Sequence, residues 1–123
     1  MDEEKLYTPR EANELLPHVA PTLVELRGKF ADAVRIRAEI ATSASTNGRH
    51  HGREDWSATL ARVAELLERL QRWGLILRDI ETGLVDFPAR VEGTEAYLCW
   101  RLGEETVSHW HPRDEGFGGR RPL

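Results

Sequence analysis

The hydrophobic period of this chain changes once, at Gly74, and that change limits its fold more than any other feature. Upstream, apolar residues recur in steps of four and three, the spacing of one helix face. Val19, Leu23, Leu26, Phe30, Ala33 and Ile40 make one such stripe; Trp56, Leu60, Val63, Leu67, Leu70 and Trp73 make another. Downstream, from Leu75, the alternation becomes two-fold, with turn residues at Glu81-Thr82-Gly83, Glu92-Gly93 and Gly103-Glu104. Helical segments followed by consecutive short strands predict an α+β fold with an antiparallel meander. A chain of 123 residues supports one core, so residues 1–74 and 75–123 are expected to be the helical and β parts of a single domain.

Thr8-Pro9-Arg10-Glu11 carries a capping box with proline at the first helical position. Pro17 lacks an N–H, so the pattern predicts a short N-terminal helix, a break, and a longer helix beyond it. The polar run Ser43–Gly52, with His50 and His51, reads as a solvated connection. A second long helix is expected from about Glu54 to Gly74, which makes an antiparallel helical hairpin. Its seam is narrow: Val24, Val34, Ile36 and Leu66 lie off it and need another surface.

Four strands are expected, at Leu75–Arg78, Leu84–Val91, Glu95–Leu102 and Thr106–His111, as a meander of three to four strands. A two-residue turn at Glu92-Gly93 sets Val85 against Trp100, Phe87 against Leu98 and Arg90 against Glu95. A turn at Gly103-Glu104 sets Trp100 against Val107 and Leu98 against His109. One face is then apolar and packs on the helices. The other carries Asp86, Cys99 and Ser108 in a row, beside Tyr97 and Trp110. Pro88 needs an edge or a bulge.

The net charge of −4, from 17 basic and 21 acidic side chains, disfavours a nucleic-acid binder. The opening Met1-Asp2-Glu3-Glu4-Lys5 has no apolar stretch, and no run approaches the roughly 20 apolar residues of a membrane helix, so a cytoplasmic location is expected. Cys99 is the sole cysteine, which excludes an internal disulfide. With His109 pointing to the opposite face in this register, Cys99 reads as a buried structural residue. Asp79 and Asp86 flank a turn and read as partners of Arg78 or Arg101. The densest reactive segment is His109-Trp110-His111-Pro112-Arg113-Asp114-Glu115. Two imidazoles and carboxylates suit a divalent ion, so His109, His111, Asp114 and Glu115 are candidate metal ligands. Gly116 to Gly119 with Arg120 and Arg121 can turn N–H groups toward an anion.

The segments Gly83-Leu84-Val85-Asp86-Phe87-Pro88-Ala89, Tyr97 through Glu104, Trp110-His111, Asp114-Glu115-Gly116-Phe117 and Gly119-Arg120 resemble the bacterial domain-of-unknown-function family 2203. The opening Tyr7 to Pro17 is similar to that family's start. The resemblance supplies no activity. It marks Asp86, Trp110, His111, Asp114, Gly116, Phe117 and Arg120 as signature positions; Asp86, Trp110, His111, Asp114 and Arg120 with Glu115 form the candidate ligand set. His109 stands outside that signature. No complete catalytic set is present, so the leading expectation is a non-enzymatic assembly module that forms a homodimer through its helices. The alternative is a divalent-metal or small-anion binder at the C-terminal segment.

Overall fold

The computed structural model describes residues 4–44 and 51–123. Two helices, α1 (Pro9–Ala44) and α2 (His51–Arg72), pack on a five-stranded antiparallel sheet. The strands are β1 (Ile76–Asp79), β2 (Leu84–Val91), β3 (Thr94–Arg101), β4 (His109–Pro112) and β5 (Arg121–Pro122), ordered β1-β2-β3-β4-β5. The meander is thus one strand longer than expected, because the tail returns along β4. No helix among the described residues is long and apolar enough to cross a membrane.

The capping box forms: the Glu11 N–H donates to Thr8 Oγ1 and the Thr8 N–H donates to Glu11 Oε1, at 3.1 and 3.0 Å. The expected break at Pro17 does not occur, and α1 runs unbroken through Pro17 and Pro21. Both prolines are exposed and, four residues apart, share one face. The carbonyls that they leave without an N–H therefore face water rather than the core. α2 begins at His51, before the expected Glu54, and the rest of the expected connection, 45–50, lies outside the described residues.

The helices run antiparallel, with Arg62 forked onto Glu25 at 2.6 and 2.7 Å and Arg69 reaching Thr22. Val19, Leu23, Leu26, Leu66 and Leu70 bury against Val85, Phe87, Leu98 and Trp100 of the sheet. The buried stripe of α2 is rotated from the sequence reading: Leu66 is buried, while Leu60 and Leu67 are exposed. Ile36 is buried, whereas Val24, Phe30 and Val34 stay exposed.

The β2–β3 hairpin has the expected register, including Val85 opposite Trp100, Phe87 opposite Leu98 and Arg90 opposite Glu95. Glu92 and Gly93 both adopt positive φ, 54° and 78°, as a type I′ turn requires. β1 begins level with Asp86, at Ile76, so β2 is an edge from Phe87 onward. There the Tyr7 N–H donates to the Pro88 carbonyl at 2.7 Å. The N and O of one strand residue point to the same side, so the missing Pro88 donor faces outward, where no β-partner needs it.

The β3–β4 pairing departs from expectation. Leu98 faces Trp110 and Cys99 faces His109, a slip of one residue from the pairing that a turn at Gly103-Glu104 imposes. The turn closes one residue earlier, with the Glu104 N–H on the Arg101 carbonyl and φ of 103° at Gly103. Val107 joins no strand. Its N–H donates to Asn13 Oδ1 of α1 at 2.7 Å. A one-residue slip exchanges the faces of every later side chain. Trp110 turns to the apolar face and packs on the core, and His109 and His111 turn to the other.

Candidate metal centre

Three adjacent strands each bring one ligand-type side chain to that second face: Asp86 from β2, Cys99 from β3 and His111 from β4. Asp86 and Cys99 are direct cross-strand partners, and His111 is diagonal to Cys99. One ligand atom from each lies within 4.8 Å of the other two. All three residues are buried, at 1, 1 and 2% exposure, because the chain beyond β4 covers this face. Arg120 fastens that cover: its Nη2 donates to the Cys99 carbonyl at 3.2 Å and to Glu104 Oε1 at 2.7 Å.

The hydrogen bonds define which atoms are free. His111 Nδ1 lies 2.8 Å from the Pro112 carbonyl. A carbonyl only accepts, so Nδ1 carries a hydrogen, and Nε2 presents a lone pair when the ring is neutral. That lone pair faces Asp86 Oδ2 at 3.1 Å. Asp86 Oδ2 also accepts from Arg78 Nε at 2.8 Å, while Asp86 Oδ1 is buried with no hydrogen-bond partner among the described residues. Burial, and then the adjacent Asp86 carboxylate, push the Cys99 thiol up to about 11, against the opposing pull of Arg120. The bare thiol therefore stays protonated at neutral pH and is no nucleophile.

Arg78 occupies the irregularity in the β1–β2 ladder between Leu77 and Asp79. From there it reaches Asp86, and its guanidinium lies 5.1 Å from the Tyr97 ring centroid, with Arg113 4.8 Å from the same centroid. Above the three ligands opens a cleft of about 260 Å³, with Leu84 and Phe117 as its apolar walls.

Of the residues singled out from sequence, the structure brings Asp86 and His111 together and sets Asp114 and Glu115, both exposed, along the same cleft. Glu115 pairs with Arg121. His109 lies outside the close group and bonds Ser108 through Nδ1 at 3.0 Å. Trp110 lies on the opposite face, with Arg121 over its ring. Arg120 serves the cover rather than the cleft. Arg113, Arg120 and Arg121 are each paired with a carboxylate, of Glu4, Glu104 and Glu115. Sequence reasoning missed Cys99 and Arg78 as parts of the site. The Glu92-Gly93 turn already set Cys99 opposite Asp86, and the β3–β4 register is what adds His111 to them.

A family model described as "Uncharacterized conserved protein (DUF2203)" matches residues 5–123. The chain belongs to the DUF2203 family. No curated protein and no solved structure matches it. Asp86, Cys99, His111 and the Arg78 that braces them all lie within the matched part of this DUF2203 chain, and the functional reading rests on their geometry.

Proposed function

We propose that the protein binds one divalent metal ion of the zinc class through Asp86, Cys99 and His111. The observation that carries this reading is the convergence of three buried ligand-type side chains, Asp86, Cys99 and His111, whose ligand atoms lie within 4.8 Å of one another. His111 Nε2 and Asp86 Oδ2 meet at 3.1 Å, with Nδ1 turned to the Pro112 carbonyl. A proton on Nε2 makes this contact an ion pair; with a neutral ring, a metal cation between the two lone pairs satisfies both. A tetrahedral zinc with bonds near 2.0–2.1 Å separates an oxygen and a nitrogen ligand by about 3.3 Å. The unpartnered, buried Asp86 Oδ1 supports the same reading, since a buried carboxylate oxygen without a partner calls for an ion or a donor. The hydrogen bond from Nδ1 to a carbonyl is the usual brace for a metal-ligating histidine. Carboxylate, thiolate and imidazole together suit zinc better than calcium or magnesium.

The test is elemental analysis of protein purified without an affinity tag, together with cobalt(II) substitution. One equivalent of metal and a thiolate-to-cobalt absorption band are expected, both lost in Cys99→Ser. Protein that takes up neither zinc nor cobalt overturns the reading.

A second reading, self-association through the helices, is supported by a separate observation. Val24, Phe30 and Val34 of α1 and Leu60 and Leu67 of α2 are all exposed. Sedimentation equilibrium of the full chain is expected to give a dimer; monomer alone at high concentration removes this reading.

A further inference from the structure

The cleft over the metal ligands identifies the chemistry of what enters it. A zinc-class ion held by Asp86, Cys99 and His111 would keep one position for a further ligand, and all three residues line the cleft. Arg78 lines the cleft too. Among the described residues its one side-chain hydrogen bond runs from Nε to Asp86, and the Tyr97 ring lies under its guanidinium. The Nη edge of an arginine held in this way is a preset fork for a planar oxyanion. Leu84 and Phe117 add apolar walls, and at about 260 Å³ the space is below the range that drug-sized ligands occupy. Asp114 and Glu115 stand along the same cleft and oppose a second negative charge, with Arg113, itself paired with Glu4, beside them.

We propose that the cleft takes a short monocarboxylate, with its carboxylate between the metal and Arg78 and its apolar stem between Leu84 and Phe117. This rests on the metal reading above. A doubly charged phosphate meets the same fork but also the two rim carboxylates, so it binds less well.

The experiment titrates the full-length cobalt(II)-loaded protein with propionate, propionamide and inorganic phosphate while following the visible cobalt bands. Propionate is expected to shift the bands saturably, propionamide to leave them unchanged, and phosphate to act only at higher concentration. Arg78→Lys, loaded to the same cobalt absorbance, is expected to bind propionate about tenfold more weakly, because an ammonium cannot present the fork. Failure of the cobalt–thiolate band to form overturns the metal reading and this proposal with it. A normal band that propionate leaves unmoved overturns this proposal alone. A response to propionamide equal to that to propionate removes the role of the charge, and tighter binding of phosphate than propionate removes the monocarboxylate class.

Discussion

Asp86→Asn separates a metal centre from a buried ion pair, because the two make opposite demands on that position. In the metal-free protein His111 Nε2 and Arg78 Nε meet the same oxygen, Oδ2, at 3.1 and 2.8 Å, so an amide N–H in its place can donate to a neutral His111 Nε2 only if Arg78 gives up its bond and turns to solvent. Arg78 loses a charged partner, but its side chain is 42% exposed, so solvent limits that loss to about 1 kcal/mol. The net change in metal-free stability is therefore expected within about 1 kcal/mol. If a proton instead of a metal joined His111 to Asp86, the substitution would strand a buried imidazolium, at about 3–5 kcal/mol. Free zinc at a thousand times its dissociation constant stabilises the wild type by about 4.1 kcal/mol. For a chain of this length 1 kcal/mol moves Tm by roughly 3–6 °C, so the rise is roughly 12–25 °C. Loss of a residue that only braces a ligand reduces metal affinity about 10–100-fold, so loss of a ligand leaves Asp86→Asn no more than about 2.7 kcal/mol at the same zinc concentration. Calorimetry in chelator and in buffered zinc measures all four states. A wild-type Tm that zinc does not move, or a loss of 3 kcal/mol or more by Asp86→Asn in chelator, refutes the reasoning.

Cys99 in the folded, metal-free protein should resist iodoacetamide at pH 8, being buried with its thiol pushed up to about 11, and should label only on unfolding; labelling at the rate of a free cysteine contradicts this. Glu104 is held below its ordinary 4.5: burial raises it, but the Arg120 guanidinium and the Arg101 N–H outweigh burial. A carboxyl lowered on folding adds stability above its unfolded value and loses it as pH falls through the folded one. Glu104→Gln should therefore flatten the stability decline below pH 4.5, as followed by urea unfolding at a series of acid pH values, and an unchanged slope counts against the clamp. Gly83 has φ of 68°, and a Cβ there runs into the Leu102 side chain, so Gly83→Ala should cost more than about 1 kcal/mol in urea unfolding; a neutral result means that this turn relaxes freely.

The change of period at Gly74 and the Glu92-Gly93 turn carried most of the fold into view, because both are local: helix spacing, strand alternation and turn chemistry lie within a few residues. The Pro17 break failed for a tertiary reason. A proline ends a helix only where the carbonyls it frees have nowhere to go, and here they face water. The slip between β3 and β4 lies in a connection where Val107 joins no strand and instead bonds Asn13 of α1, a contact between residues far apart in sequence. From that slip follows the arrival of His111 on the face that carries Cys99. The meeting of Asp86 with Cys99 was legible from the Glu92-Gly93 turn, while that of His111 with the two was not.

The segment between β3 and β4 has the look of an ordinary surface connection, of the kind that tolerates inserted and deleted residues. Its length here sets the chemistry on the sheet. Removing one residue between Arg101 and His109, with pairing otherwise kept, would turn Trp110 toward Cys99 and aim His111 into the apolar core. The donor set would disappear with every one of its residues still in the sequence. A single-residue deletion in this segment therefore acts on the centre as directly as replacing a ligand does. In comparing chains of this family, the number of residues between the cysteine and the histidine carries as much chemical information as their presence.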